Sequence, residues 1–411
     1  LMLEMNMRLS LLVLILFSTL LVNGVAEAKA KKVDDYHWTG VDRVVAIGDL
    51  HGDYGRYIDV MKSAGLIDNK GKWSGGETHL VQTGDITDRG ADSRKIIDHL
   101  VNLSKQAKRK GGYVHLLIGN HETMNVVGDL RYVDPGEFEA FATRNSARLQ
   151  EMQWDRQVEW MRANNPDFES MDLDEFRKEW ELKVQLGWVE HRQAWSFNGK
   201  YGKWVEGNAV AVQINDTIFL HGGISAKYCK FSLQSLTEQV MAGMQQNDPS
   251  VITAMNDPLG PVWYRGLALE KEEEIFSQTL DNILNRYGAR RIVIGHTPTG
   301  GVVWPRFDQR VVANDTGIAT YYGAHKGVLE LTKEGATAIY GDQRIQLPSL
   351  NSEREGYLRQ VIEADSNNAQ LKERLARMLA PPATEADDAS ENPEAEEPVT
   401  EKAIQVPGTC Q

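Results

Sequence analysis

The sequence predicts an α/β protein, a sandwich of two mixed sheets flanked by helices and carrying a helical insertion. Three observations lead there. Between residues 42 and 120, apolar runs of strand length alternate with amphipathic helical stretches, and such alternation calls for parallel strands with helices on their faces. A second group of strand-like runs begins at residue 208. Between the two groups, residues 133–196 keep helical periodicity alone.

The bulk properties fit a soluble globular chain. At 411 residues there is room for one large domain with additions, or for two domains. Hydrophobic residues make up 41% and charged residues 25%. A net charge of −13 argues against a nucleic-acid partner, which would demand clustered Lys and Arg. The charge is unevenly spread: from residue 383 onward there are eight carboxylates and one lysine, so the body of the protein is only mildly acidic.

At the N-terminus, Arg8 precedes the apolar stretch "LSLLVLILFSTLLVNGV", and "AEA" at 26–28 offers small residues for cleavage, with Ala30 as a second option. Residues 1–28 therefore read as an export signal, placing the mature chain in the periplasm or medium. The alternative is an uncleaved membrane anchor, since the run approaches spanning length. Cys229 and Cys410 are the only cysteines. Exported cysteines can pair, but Cys410 lies in the polar tail and the spacing matches no metal or redox motif. Free thiols are expected.

Taken in order, "DRVVAIGD" (42–49), "THLVQTGD" (78–85) and "GYVHLLIGN" (112–120) are apolar runs ending in Gly plus a polar residue. The helical stretches "YIDVMKSAGLID" and "DSRKIIDHLVNLSKQAKRKGG" separate them. The insertion offers two amphipathic helices, "EFEAFATRNSARLQEMQWDRQVEWMRA" and "DLDEFRKEWELKVQLGWVEHRQAW", the second with Asp172 and Glu175 at capping-box spacing. Trp154, Trp160, Trp180, Trp188 and Trp195 recur within it, and aromatic stripes ordinarily pack a core. "NAVAVQINDTIFLHGGIS" (208–225) reads as a hairpin turning at Asn215-Asp216. Further strands are expected in "RRIVIGHTPTGG" (290–301), "RVVANDTG" (310–317), "GVLELT" and "ATAIYG". A C-terminal helix is expected within 350–380, starting near 353 and ended by Pro381-Pro382. Residues 381–411 form an acidic tail too polar to build a core, expected to be disordered.

In open α/β sheets, polar residues at the carboxyl ends of strands make the site. The first run ends in "GDLHGD", with Asp49 and His51. The second ends in "GDITDRG", with Asp85, Asp88 and Arg89, and the third in "GNHE", with Asn120 and His121. "HGG" adds His221 and "GH" adds His296. Singly, each has a bland reading as a turn cap or a satisfied core group. Jointly, every strand ends alike, with glycines that let the backbone approach a ligand closely. Mixed carboxylate, amide and imidazole donors suit Mn, Fe or Zn, whereas calcium wants oxygen alone. So many donors exceed one open site. A metal pair roughly 3.5–4 Å apart, sharing a carboxylate, accounts for them and suits phosphate-ester hydrolysis.

The ordered set "GDLHGD…GDITDRG…GNHE…HGG…GH" resembles the metallophosphoesterase signature of calcineurin-like enzymes. "GDxxDRG" and "GNHE" are similar to the phosphoprotein phosphatase branch, while "PVWYRG" (261–266) and "NDTGIATYYG" look like the bacterial-type Shewanella-like protein phosphatases. The resemblance implies a metallophosphoesterase sandwich over about residues 42–345. It also implies that Asp49 and His51 hold one metal, that Asp85 bridges, and that Asn120, His221 and His296 hold the second. His121, oriented by Asp88, would protonate the leaving oxygen as general acid while a metal-bound hydroxide attacks in line. Arg89 and Arg265 would grip the phosphate, with a structural ion pair as the alternative for Arg265. Glu122 would steady the loop without being catalytic. The implied substrate is a phosphorylated protein or peptide, with phosphotyrosine slightly favoured over phosphoserine or phosphothreonine. A nucleotide or dinucleoside polyphosphate hydrolase is the alternative, and a non-catalytic scaffold would have lost residues that this chain keeps. His79, His99, His115, His191 and His325 have no motif support and read as structural.

Overall fold

The computed structural model describes residues 34–246, 248, 250–380 and 410, with the backbone of 31–32. The expected export signal and, apart from Cys410, the acidic tail lie outside the described residues. The strands are β1 (Lys31–Lys32), β2 (His37–Thr39), β3 (Arg43–Ile47), β4 (His79–Gln82), β5 (Tyr113–Leu116), β6 (Ala211–Ile214) and β7 (Thr217–Leu220). They continue with β8 (Arg291–Ile294), β9 (Trp304–Arg306), β10 (Val311–Ala313), β11 (Gly327–Thr332), β12 (Gly335–Tyr340) and β13 (Gln343–Gln346).

They form two mixed sheets, ordered β1-β2-β6-β7-β8-β10-β9 and β13-β12-β11-β3-β4-β5. Within the second, β3, β4 and β5 run parallel; within the first, β7, β8 and β10 do. The carboxyl ends of these six strands meet where Asn314, just after β10, donates from its side chain to the Ala46 carbonyl of β3 and from its backbone N–H to the Ile294 carbonyl of β8. That seam holds the polar residues singled out by the sequence.

Helix α1 (Tyr54–Ser63) starts at Asp53, whose side chain accepts from the Arg56 N–H at 3.0 Å. Helix α2 (Ser93–Lys108) buries Ile96, Ile97, Leu100, Leu103 and Ala107, the apolar stripe of a helix lying on a sheet. Helix α3 (Asn120–Val127) follows β5 and stops at Gly128, in the left-handed conformation. Among the described residues, no helix is long and apolar enough to cross a membrane.

The insertion departs from expectation by breaking each anticipated helix in two. The first becomes α4 (Pro135–Phe141) and α5 (Ser146–Asn164), and the second α6 (Leu173–Lys183) and α7 (Trp188–Trp195). At the first break, Thr143 and Ser146 both donate to Glu190. These are side-chain bonds that compete with helix continuation. At the second, Gly187 adopts φ 92°, and a Cβ there would sit 1.9 Å from the Phe138 carbonyl oxygen. The absent side chain lets α7 pack against α4. Asp172 does cap α6, accepting from Asp174 and Glu175 N–H groups. Trp154 and Trp180 form a small core with Val184, Trp195 joins the main core, and Trp160 is 61% exposed. The expected C-terminal helix likewise splits, into Arg354–Ala364 and Ala369–Leu379, because Asn368 caps the second piece while donating to the Gly300 carbonyl.

One expectation is overturned. Cys229 and Cys410 are not free but joined in a disulfide, Cα–Cα 5.4 Å, and no free cysteine remains. Cys229 is fully buried beside the segment following His221, and the end of the chain returns to it across a sequence separation of 181.

Candidate active site

Eight of the nine residues proposed from the strand ends arrive buried at the seam, and the ninth, Arg89, stands half-buried beside it. Asp49 and His51 follow β3, and Asp85 and Asp88 follow β4. Asn120 and His121 open α3 after β5. His221 follows β7 and His296 follows β8. All eight side chains are at most 5% exposed. Glycine makes the convergence possible. A Cβ on Gly119 would lie 2.1 Å from Asp85 Oδ1, and one on Gly295 would lie 2.6 Å from Asp49 Oδ1. The backbone is also unusual here, since His51, Asp85, Asp88, Arg89 and His296 all have positive φ. Such conformations cost of order 1–3 kcal/mol each and persist where surrounding structure imposes them.

The imidazoles share one arrangement. His51 Nδ1 pairs with the Thr87 carbonyl at 2.9 Å, His221 Nδ1 with the Thr83 carbonyl at 3.0 Å, and His296 Nε2 with the Trp263 carbonyl at 3.1 Å. Because a carbonyl only accepts, each ring must spend its one N–H there, leaving the other nitrogen as a lone-pair donor aimed inward. His221 Nε2 then lies 2.8 Å from Asn120 Oδ1, 3.1 Å from Asp85 Oδ2 and 3.1 Å from His296 Nδ1. Four acceptors facing one another call for a metal ion or a proton between them.

Among the described residues two groups of donors emerge, His51–Asp85–His121 and Asp85–His221–His296, and Asp85 belongs to both. Its pinning falls to Glu122. One oxygen of that buried carboxylate accepts from the N–H groups of Asp85 and Gly119, the other from Ile86 and Thr87. Asp85 Oδ1 accepts from the His121 N–H at 3.0 Å, which leaves Oδ2 turned toward the histidines.

The electrostatics ask for positive charge. Burial, then the neighbouring carboxylates of Asp315 and Asp85, push Asp49 well above the ordinary carboxylate range. Asp315 is itself raised to about 6, first by burial and then by Asp85, despite the Gly317 N–H it accepts. Burial opposes charge on His121, yet the Asp85 carboxylate and the hydrogen bond to Asp88 prevail and raise it to about 9. Burial and the charge on His121 push His51 down to about 3, which keeps it in its neutral, ligating form. Carboxylates too crowded to ionise together, beside inward lone pairs, fit divalent cations.

The two arginines stand at the rim, half-buried. The Arg89 guanidinium lies over the rings of Tyr132 (4.1 Å) and Tyr321 (4.7 Å) and donates to the Tyr321 hydroxyl at 2.9 Å. Arg265 Nη1 donates to the His296 carbonyl at 2.6 Å, so its partner is backbone rather than the structural ion pair considered from sequence. Tyr132 also stands 5.2 Å from the His121 ring, and Tyr322 stands 5.1 Å from that of His51.

Sequence reasoning passed over Asp315, Asn125 and these tyrosines. The signal for Asp315 was present: "VVANDTG" is another apolar run ending in a polar residue and Gly. Asn125 lies inside α3, Tyr132 in a turn, and Tyr321 and Tyr322 in a single 3-10 turn over Thr320–Tyr322, where spacing carries no mark. The histidines without motif support pair within the fold: His79 bonds His115, His99 bonds Tyr57, and His325 meets Asp365.

A two-sheet sandwich with paired donor groups at its carboxyl seam defines a class of metal-dependent hydrolases. The chain belongs to the calcineurin-like phosphoesterases, whose family model matches residues 42–300; it is a metallophosphoesterase. It is 30% identical over 305 residues to an uncharacterised protein of Schizosaccharomyces pombe, covering 72% of this chain and 79% of that one. It is 29% identical over 319 residues to Shewanella-like protein phosphatase 2 of Arabidopsis thaliana, covering 72% and 77%. The crystal structure of a cold-active protein-tyrosine phosphatase from a psychrophilic Shewanella superposes with a TM-score of 0.57 at 27% identity, covering 77% of this chain and 83% of the other.

Proposed function

We propose that this protein is a two-metal phosphomonoesterase acting on phosphorylated proteins or peptides, exported from the cell. Asp49, His51 and Asp85 would hold one ion, and Asp85, Asn120, His221 and His296 the other, with manganese, iron and zinc suiting the donors. Bound there, such ions would neutralise phosphate oxygens and acidify the attacking water.

The protein's own groups do the rest. Arg89 and Arg265 offer planar donors to the phosphate oxygens at the rim. The P–O bond to the leaving alcohol breaks as the new P–O bond to water forms. His121 Nε2 gives its proton to the departing oxygen, a contribution worth roughly 10²–10⁴-fold in rate. Asp88 Oδ2, 2.6 Å from His121 Nδ1, holds the ring for that transfer. Tyrosines 132, 321 and 322 give the mouth apolar walls, which support phosphotyrosine over phosphoserine or phosphothreonine.

The observation that carries the reading is the orientation of His51, His221 and His296, each with one nitrogen committed to a carbonyl and the other turned inward. The test is elemental analysis of the purified chain followed by a panel of phosphopeptides and nucleotides. Two ions per chain and faster turnover of phosphopeptides are expected. A single ion would sink the two-metal reading, and faster turnover of nucleotides or dinucleoside polyphosphates would replace the substrate class.

A further inference from the structure

Asp88 has a second carboxylate oxygen, and its partner is a residue the mechanism above does not use. Asn125, 1% exposed, donates from Nδ2 to Asp88 Oδ1 at 2.7 Å and to the His121 carbonyl at 3.0 Å. Both neighbours are acceptors, so only the amide NH₂ can face them and its orientation is unambiguous. Asn125 lies one helical turn beyond His121 on α3, the spacing at which side chains share a helix face. It therefore reaches back over His121 to the loop after β4. Arg192 of α7, in the insertion, donates to the carbonyls of Asn125 and Val126, closing the C-terminal end of α3.

We propose that Asn125 is a positioning residue of the acid step, the third member of a His121–Asp88–Asn125 series, and that Arg192 holds Asn125 in place. The inference rests on the hydrolase reading. A carboxylate on a loop at φ 71° can rotate about its own side-chain bonds. Fixing one of its oxygens with an amide leaves the other directed at His121 Nδ1. The proton that His121 gives the leaving oxygen departs from Nε2, Nδ1 keeps its own hydrogen and donates it to Asp88 Oδ2, and solvent restores the lost proton. Without Asn125, Asp88 loses its direction and His121 loses its aim, while Asp49, His51, Asp85, Asn120, His221 and His296, the residues proposed to hold the ions, keep their places.

Leaving groups provide the test. An aryl phosphate with a good leaving group, p-nitrophenyl phosphate, needs little protonation, whereas phenyl phosphate or a phosphoserine peptide needs it fully. With metal content matched by elemental analysis, Asn125→Ala should lower kcat on phenyl phosphate by about 10–100-fold, lose distinctly less on p-nitrophenyl phosphate, and leave KM little changed. Added to His121→Asn it should cost nothing further, because it acts through that histidine. Arg192→Met should shift the same ratio in the same direction, by less. Asn125→Leu, which keeps the volume, repeats the measurement without a cavity. Equal losses on both esters, additive losses in the double variant, or unfolding of both Asn125 variants would overturn the proposal. A wild type inert toward both esters would overturn the hydrolase reading itself, a result distinct from any of these.

Discussion

Glu122 shows how one side chain can decide a site without meeting substrate. Its two oxygens collect four backbone N–H groups and the Thr87 hydroxyl, holding Asp85 at φ 55°. In Glu122→Gln, an amide NH₂ would oppose two of those donors, leaving buried N–H groups unsatisfied at about 1–3 kcal/mol each. Metal affinity and activity should fall together, and activity should partly return as metal is added. A variant that keeps metal affinity while losing turnover would make Glu122 a chemical participant. His191 illustrates the opposite case, a titratable ring whose role is packing. It lies among Phe138, Phe141 and Trp195, its Nδ1 has no hydrogen-bond partner among the described residues, and burial with the Arg192 charge lowers it to about 3. Below pH 6.5 the unfolded chain takes up a proton that the native ring refuses, so this residue removes stability as pH falls. His191→Phe should therefore unfold later than wild type by a margin that grows between pH 7 and pH 5 to about 2 kcal/mol. Urea unfolding at the two pH values measures it, and a constant margin would contradict the assignment.

At the scale of elements, the strand ends are the sensitive parts. Gly119 has φ −98°, which any residue tolerates, so Gly119→Ala isolates the steric demand of Asp85 Oδ1, 2.1 Å from the added carbon. Loss of metal binding with circular dichroism unchanged is expected; normal metal content would show that the loops can part. These strand ends are also where sequence spoke most clearly. Three parallel runs, the Asn215 hairpin and all eight inward residues were readable because apolar runs, glycine and polar ends repeat. The remainder was hidden for physical reasons. β9, with a central proline, and the largely exposed β13 lack the apolar pattern. The helix breaks at Ser146, Gly187 and Asn368 come from tertiary partners, namely Glu190, the Phe138 carbonyl and the Gly300 carbonyl, that lie tens of residues away in sequence. Asn125 was unreadable because its meaning depends on which way Asp88 faces.

Across the whole molecule, the disulfide is the link that local pattern could not foresee, because whether Cys410 meets Cys229 depends on where the chain's end is carried. It joins the last described residue to the stretch Ser225–Phe231, a few residues beyond His221, where Cys229 N–H bonds the Ser225 carbonyl and its neighbours pack in the main core. A bond closing so long a stretch constrains the unfolded chain strongly, and native disulfides of this kind contribute about 2–5 kcal/mol. Bonds of this sort persist in oxidising compartments and not in a reducing cytosol. Cys410→Ser should lower the thermal midpoint by several degrees and make it insensitive to dithiothreitol, while the wild type falls to the same midpoint on reduction. Turnover at 25 °C should hold in both, because neither sulfur reaches the donor groups. A midpoint unmoved by reductant would mean that the bond does not form in solution, and would leave the metal seam untouched.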